Sequence, residues 1–102
     1  MEHNKESILE LLSLNSETIK KYGTKRIGLF GSYVRNEEVE ESDIDLIVEF
    51  EKEKKTYKNF IRLTYFLQDL LKKEIDLITI KSLPKNRNFT QNVLNQVVYV
   101  SL

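Results

Sequence analysis

Residues 28–50 read GLFGSYVRNEEVEESDIDLIVEF, and this stretch frames everything around it. The apolar run Arg26-Ile27-Gly28-Leu29-Phe30 reads as a buried strand that ends on Gly31-Ser32. Tyr33 to Asn36 makes one or two helical turns, Glu37 to Ser42 a solvated acidic loop, and Ile44 to Phe50 a second strand. Residues two apart on a strand point to the same side of a sheet. Asp43 and Asp45 therefore present two carboxylates together, while Ile44, Leu46 and Val48 turn toward a core. Like charges held close repel unless a cation sits between them. Oxygen-only ligands of this kind suit Mg²⁺ or Mn²⁺. A lone Asp-x-Asp more often just ends a strand on a solvated edge, so the pair needs support from elsewhere.

That support comes from both directions along the chain. Gly31-Ser32 follows a strand and precedes a helical turn, which leaves backbone N–H groups at a positive helix start and lets a phosphate approach closely. The Ser32 hydroxyl can add a hydrogen bond to a phosphate oxygen. Arg35, one turn on, can pair with phosphate charge. Downstream, Asp76 lies inside Glu74-Ile75-Asp76-Leu77-Ile78-Thr79-Ile80, read as a third, largely apolar strand. An ionised carboxylate there is expensive unless it is paired, binds metal or marks an exposed strand end. Beside Ile44 to Phe50 it would add a third carboxylate to the first two.

The flanking segments supply helices. Ile8, Leu11, Leu12 and Ile19 recur at helical spacing from Lys5 to Tyr22, with a break expected near Asn15 and Ser16 and a stop at Gly23. Phe60, Leu63, Leu67, Leu70 and Leu71 form one face of a helix from Thr56 to Lys73. This stripe reads as core rather than as a cofactor box. Phe89 to Val97 reads as a last helix and Val98 to Val100 as a terminal strand. The order of elements predicts a small α+β sheet with helices packed against it, and leaves the strand directions open.

Composition removes many alternatives. The chain has 102 residues, enough for one domain over residues 1–102 and too few for two stable cores. It has no cysteine, which excludes disulfides, thiolate metal sites and a cysteine nucleophile. Its one histidine, His3, makes a histidine metal site or a Ser-His-Asp triad untenable and reads as a disordered surface residue. With 16 basic and 16 acidic residues the formal charge is zero, which argues against nucleic acid as the main partner. No apolar run is long enough for a membrane span, and a cytoplasmic protein is expected. The chemistry is thus left to carboxylates, hydroxyls, cations and a divalent metal.

Gly31-Ser32, ten intervening residues and then Asp43-x-Asp45 resembles the signature of nucleotidyltransferases related to DNA polymerase beta. The longer string FGSYVRNEEVEESDIDLIVEF, with Tyr22-Gly23, Ile75-Asp76-Leu77-Ile78 and Val98-Tyr99-Val100, is similar to the minimal nucleotidyltransferases, the MNT proteins. The resemblance implies a nucleotidyltransferase fold, a mixed sheet flanked by helices. It implies that Gly31 and Ser32 bind the triphosphate of a nucleotide, with Arg35 matching the family's arginine. It also implies that Asp43, Asp45 and Asp76 serve two Mg²⁺ ions, Asp76 being the candidate to take the acceptor's proton. Tyr33 stands where the family often has arginine and Asn36 where it often has glycine, which puts the leaving-phosphate contacts in question.

The expected reaction is transfer of AMP from ATP to an acceptor hydroxyl, with release of pyrophosphate. So short a catalytic core has little chain left for an acceptor-binding domain, so the acceptor is expected to dock from outside. The resemblance implies an antitoxin that adenylylates a tyrosine on a HEPN-family toxin; a homodimer is also compatible. The competing reading is a catalytically silent module that neutralises a partner by binding it. A further one, transfer to RNA or to an aminoglycoside-like small molecule, asks for acceptor surface and, for RNA, positive charge.

Overall fold

The computed structural model describes residues 3–85 and 87–102. Helix starts follow from local hydrogen bonding. Asn4 caps α1 (Lys5–Leu14) by accepting the Ser7 N–H at 2.8 Å, and Ser7 Oγ accepts the Asn4 N–H at 2.9 Å. The break falls at Asn15, whose side-chain amide donates to the Leu11 carbonyl, and α2 (Ser16–Lys21) follows. Gly23 closes the segment at φ +86°, its N–H bonded to the Lys20 carbonyl at 2.8 Å.

Strand β1 (Thr24–Phe30) then runs to Gly31, α3 (Ser32–Arg35) makes a single turn, and β2 covers Ile44–Phe50. Thr56 caps α4 (Tyr57–Leu71) by accepting the Asn59 N–H at 3.1 Å. Lys72 ends that helix in the left-handed conformation at φ 54°. Then come β3 (Ile75–Thr79), a 3₁₀ turn at Ile80–Ser82, α5 (Asn88–Gln96) and β4 (Val98–Val100). Ile80, expected in the strand, instead opens the 3₁₀ turn, because its carbonyl accepts the Leu83 N–H at 3.2 Å.

The four strands form one mixed sheet in the order β3-β2-β1-β4. β1 is antiparallel to β2 and β4, while β2 and β3 are parallel. Parallel neighbours need a long crossover, and α4 supplies it. The α+β fold with a small mixed sheet flanked by helices is therefore as expected.

The two faces of the sheet differ. On one, Ile27, Leu29, Ile44, Leu46 and Val48 pack against Ile8, Leu12, Ile19, Leu63 and Leu67, all fully buried. Each such side chain contributes roughly 1.5–3 kcal/mol on leaving water, so this face dominates the stability. On the other, Phe30 and Ile47 meet Val93 of α5, with Ile78 and Val97 beside them. Alternation puts Asp45 on this second face with Ile47, and Asp76 on it with Ile78.

His3 is a correction to the sequence reading. It is half-buried, and its Nε2–H donates to the Leu71 carbonyl at 2.6 Å, which ties the start of the chain to the end of α4. Among the described residues no helix is long and apolar enough to cross a membrane.

Candidate functional site

The site gathers where β1 ends and β2 begins. In the sheet register Asp45 stands opposite Phe30 on one side and opposite Asp76 on the other. Parallel pairing thus sets two carboxylates on neighbouring strands at the same level and on the same face. Asp43 lies just before β2 and is exposed, as is Asp76, while Asp45 is half-buried. Burial, then the charges of Asp76 and Asp43, push the Asp45 carboxyl up to about 6, against a smaller lowering by Arg35.

Gly31 supports this arrangement in a way the sequence did not announce. Its φ of +81° and ψ of −152° suit glycine alone, and a Cβ there would lie 2.9 Å from Asp45 Cγ and closer still to Oδ2. The missing side chain makes room for the carboxyl first. Ser32 then opens α3, whose start has no side-chain cap.

Arg35 is held from two directions. Its Nε donates to Glu37 Oε1 at 3.2 Å and its Nη1 to Gln96 Oε1 at 3.1 Å, at the end of α5. Sequence reasoning missed both partners. Glu37 read as a solvated loop residue, and nothing in the pattern links Gln96 to a position so far upstream.

The two departures from the expected pattern have structural explanations. Tyr33 is 2% exposed and packs in the main core, so it sits on the inner side of α3, away from Ser32 and Arg35. Burial first, then the charge of Glu38, raises its phenol above the usual range. Asn36 ends α3 at φ 58° and ψ 35°, a conformation in which asparagine is the best substitute for glycine.

The donor chemistry fits a hard divalent cation: carboxylates that raise one another's proton affinity are relieved by positive charge between them. Among the described residues, however, no three such side chains stand close enough together to hold a metal. The carboxylate face is also open. A cleft of about 440 Å³ lies elsewhere, between Tyr33, Glu38, Glu40 and the Lys72-Lys73 turn. A smaller one of about 100 Å³ adjoins the far end of β2.

Comparison with known proteins bears on the family and the fold. The profile of the nucleotidyltransferase domain family matches residues 11–100. The chain is 38% identical over 96 residues to the protein adenylyltransferase MntA of Thermococcus cleftensis, covering 93% of this chain and 94% of that one. A solved structure provisionally identified as a minimal nucleotidyltransferase superposes with a TM-score of 0.70 at 32% identity, over 88% of this chain and 93% of the other. A mutant of the toxin–antitoxin pair MntA–HpeT contains a chain that superposes with a TM-score of 0.63 at 25% identity, over 98% of this chain and 73% of that one.

Proposed function

The chain belongs to the nucleotidyltransferase domain family, of the minimal MNT type, and on that premise we propose that it moves AMP from ATP to a tyrosine hydroxyl of a HEPN-family toxin, acting as its antitoxin. The observation that carries the reading is the Asp45–Asp76 pair, set in register on parallel strands and flanked by the Gly31 turn. A structural role gives no reason to crowd carboxylates so that one of them is held at about 6. The partner class follows from the relatives, MntA being a protein adenylyltransferase and MntA–HpeT a toxin–antitoxin pair.

Each residue has a part in this reading. Asp43, Asp45 and Asp76 would hold Mg²⁺, the ion such nucleotidyltransferases typically use, in two sites, with Mn²⁺ an acceptable substitute. Bound there, the metal would supply acidity to the acceptor hydroxyl and neutralise charge on the triphosphate. Ser32 and the backbone at Gly31 would position the triphosphate, and Arg35 would balance charge on the leaving group. The acceptor oxygen attacks the α-phosphorus, a new P–O bond forms, and the bond to the departing pyrophosphate breaks. The acceptor's proton passes to Asp76 or, through it, to water. Residues 1–102 act as a single cytoplasmic domain, and the docked toxin completes the open carboxylate face.

The test is transfer of label from α-labelled ATP, with Mg²⁺, to the cognate HEPN-family protein, reading intact mass on the acceptor. Wild type and Asp43→Ala run side by side. A gain of AMP with wild type and none with the variant is expected. No label despite a tight complex would replace this reading by the silent binding module.

A further inference from the structure

We infer that Gln96, at the end of α5, is a positioning residue for nucleotide binding: it aims the Arg35 guanidinium at the triphosphate. This rests on the nucleotide-transfer reading above and adds to it a residue far outside the motif. The hydrogen bond from Arg35 Nη1 to Gln96 Oε1 joins α3 to α5 across 61 positions of sequence. The guanidinium is planar and carries five donors in a fixed fork, so two anchors determine where the remaining donors point. Glu37 takes Nε and Gln96 takes Nη1, while Nη2 has no partner among the described residues. Each edge of the fork has one donor held, and Nη2, which the two edges share, is left for an anion.

The chemistry of the anchor matters as much as its place. Glu37 already places one carboxylate on Arg35. A second would leave the guanidinium over-neutralised and weaken its attraction for a polyphosphate. Gln96 offers a neutral amide oxygen, which orients without cancelling charge. The whole of α5, Asn88–Gln96, carries no charged side chain, in a chain that is 31% charged. Gln96 is also the helix's last residue, where the carbonyl end carries partial negative charge that favours a neighbouring cation. The rest of the helix is anchored by Val93 against Phe30 and Ile47, and Phe30 is the register partner of Asp45. Gln96 is therefore held by the same packing that supports the carboxylates.

The test is a double-mutant cycle read by equilibrium binding of the non-hydrolysable ATP analogue AMP-PNP with Mg²⁺, which needs no acceptor. Gln96→Met keeps the length of the side chain and removes the acceptor oxygen. We expect it to weaken binding about fivefold, because the guanidinium is no longer held in its aim, with little change in Tm. Gln96→Glu should weaken binding at least as much, although it keeps an acceptor. In an Arg35→Ala background Gln96→Met should have no further effect. Binding by Gln96→Met within twofold of wild type, or an equal loss in both backgrounds, would overturn the inference. Wild type that binds no AMP-PNP would instead bring down the nucleotide reading and this inference with it.

Discussion

The Asp45 carboxyl occupies the space that a side chain on Gly31 would need: a Cβ at position 31 would come within 2.9 Å of Asp45 Cγ. The turn and the carboxylate are thus one packing unit, formed where β1 ends against the start of β2. Gly31→Ala adds both a clash with Asp45 and an unfavourable φ of +81°. It should lower stability by about 1–3 kcal/mol, the range for a residue forced into such a conformation. Displacing Asp45 should also reduce AMP transfer by at least about 100-fold, since misplacement near 1 Å is enough for that. Thermal unfolding and single-turnover transfer measure the two effects separately. A variant that unfolds earlier yet transfers at the wild-type rate would show that the glycine serves only the turn.

Asp45 has a consequence for stability that runs opposite to its catalytic value. Its carboxyl is raised from 3.8 to about 6, so in the metal-free protein folding disfavours the charged form. The penalty is absent below pH 4, grows between pH 4 and 6, and is complete above that. Asp45→Asn should therefore stabilise the metal-free fold at pH 7–8 by about 1 kcal/mol, after allowance for solvent screening of a half-buried group. That amounts to roughly 4–8 °C in Tm for a domain of this size, and the gain should vanish at pH 3.5. Saturating Mg²⁺ should raise the Tm of wild type and not of the variant, because only the intact carboxylates hold the ion. Paired melting curves across pH, with and without Mg²⁺, decide it.

The sequence was most legible where the chemistry is local. The Leu63–Leu67 spacing, the Asn15 break, the Gly23 stop and the whole of β2 follow from neighbouring residues and appear as expected. Asp43 and Asp45 were legible for the same reason. Asp76 could be singled out by its odd setting in an apolar strand, but its alignment with Asp45 depends on β3 pairing parallel to β2, which no local pattern encodes. His3 and Gln96 escaped because their partners, Leu71 and Arg35, are 68 and 61 residues away. Tyr33 was read as a departure from a phosphate-binding arginine. Its burial shows that the position faces the core, which a motif written in one dimension does not distinguish.

Asp76 offers a way to test the pairing without following catalysis. After burial, its charge is the largest cause holding the Asp45 carboxyl up. Asp76→Asn removes that charge and keeps the shape, so the Asp45 carboxyl should titrate lower than about 6, with burial and Asp43 still holding it above 3.8. Carboxyl carbon NMR resolves this titration directly. The same variant should lose AMP transfer by at least about 100-fold, as expected for a group that takes part in positioning charge or moving the acceptor's proton. An unmoved Asp45 titration would mean that the two carboxylates do not feel one another across the parallel pair.

Asn36 decides whether the chain's motif is weakened or merely respelled. It holds φ 58° at the end of α3, where its N–H bonds back to the Tyr33 carbonyl and the Glu37 N–H to that of Ser32. A left-handed residue at this place favours glycine first and asparagine second, because the latter's short polar side chain tolerates the conformation. Asn36→Gly should therefore leave AMP transfer within about twofold of wild type and change stability by only a few tenths of a kcal/mol. Asn36→Ala has neither escape and should lose about 1 kcal/mol. Because Arg35 immediately precedes this cap, the alanine variant should also weaken AMP-PNP binding through the loosened α3 turn, while the glycine variant should not. If glycine strengthened binding tenfold or more, asparagine would be a true functional departure rather than an equivalent solution to the same backbone requirement.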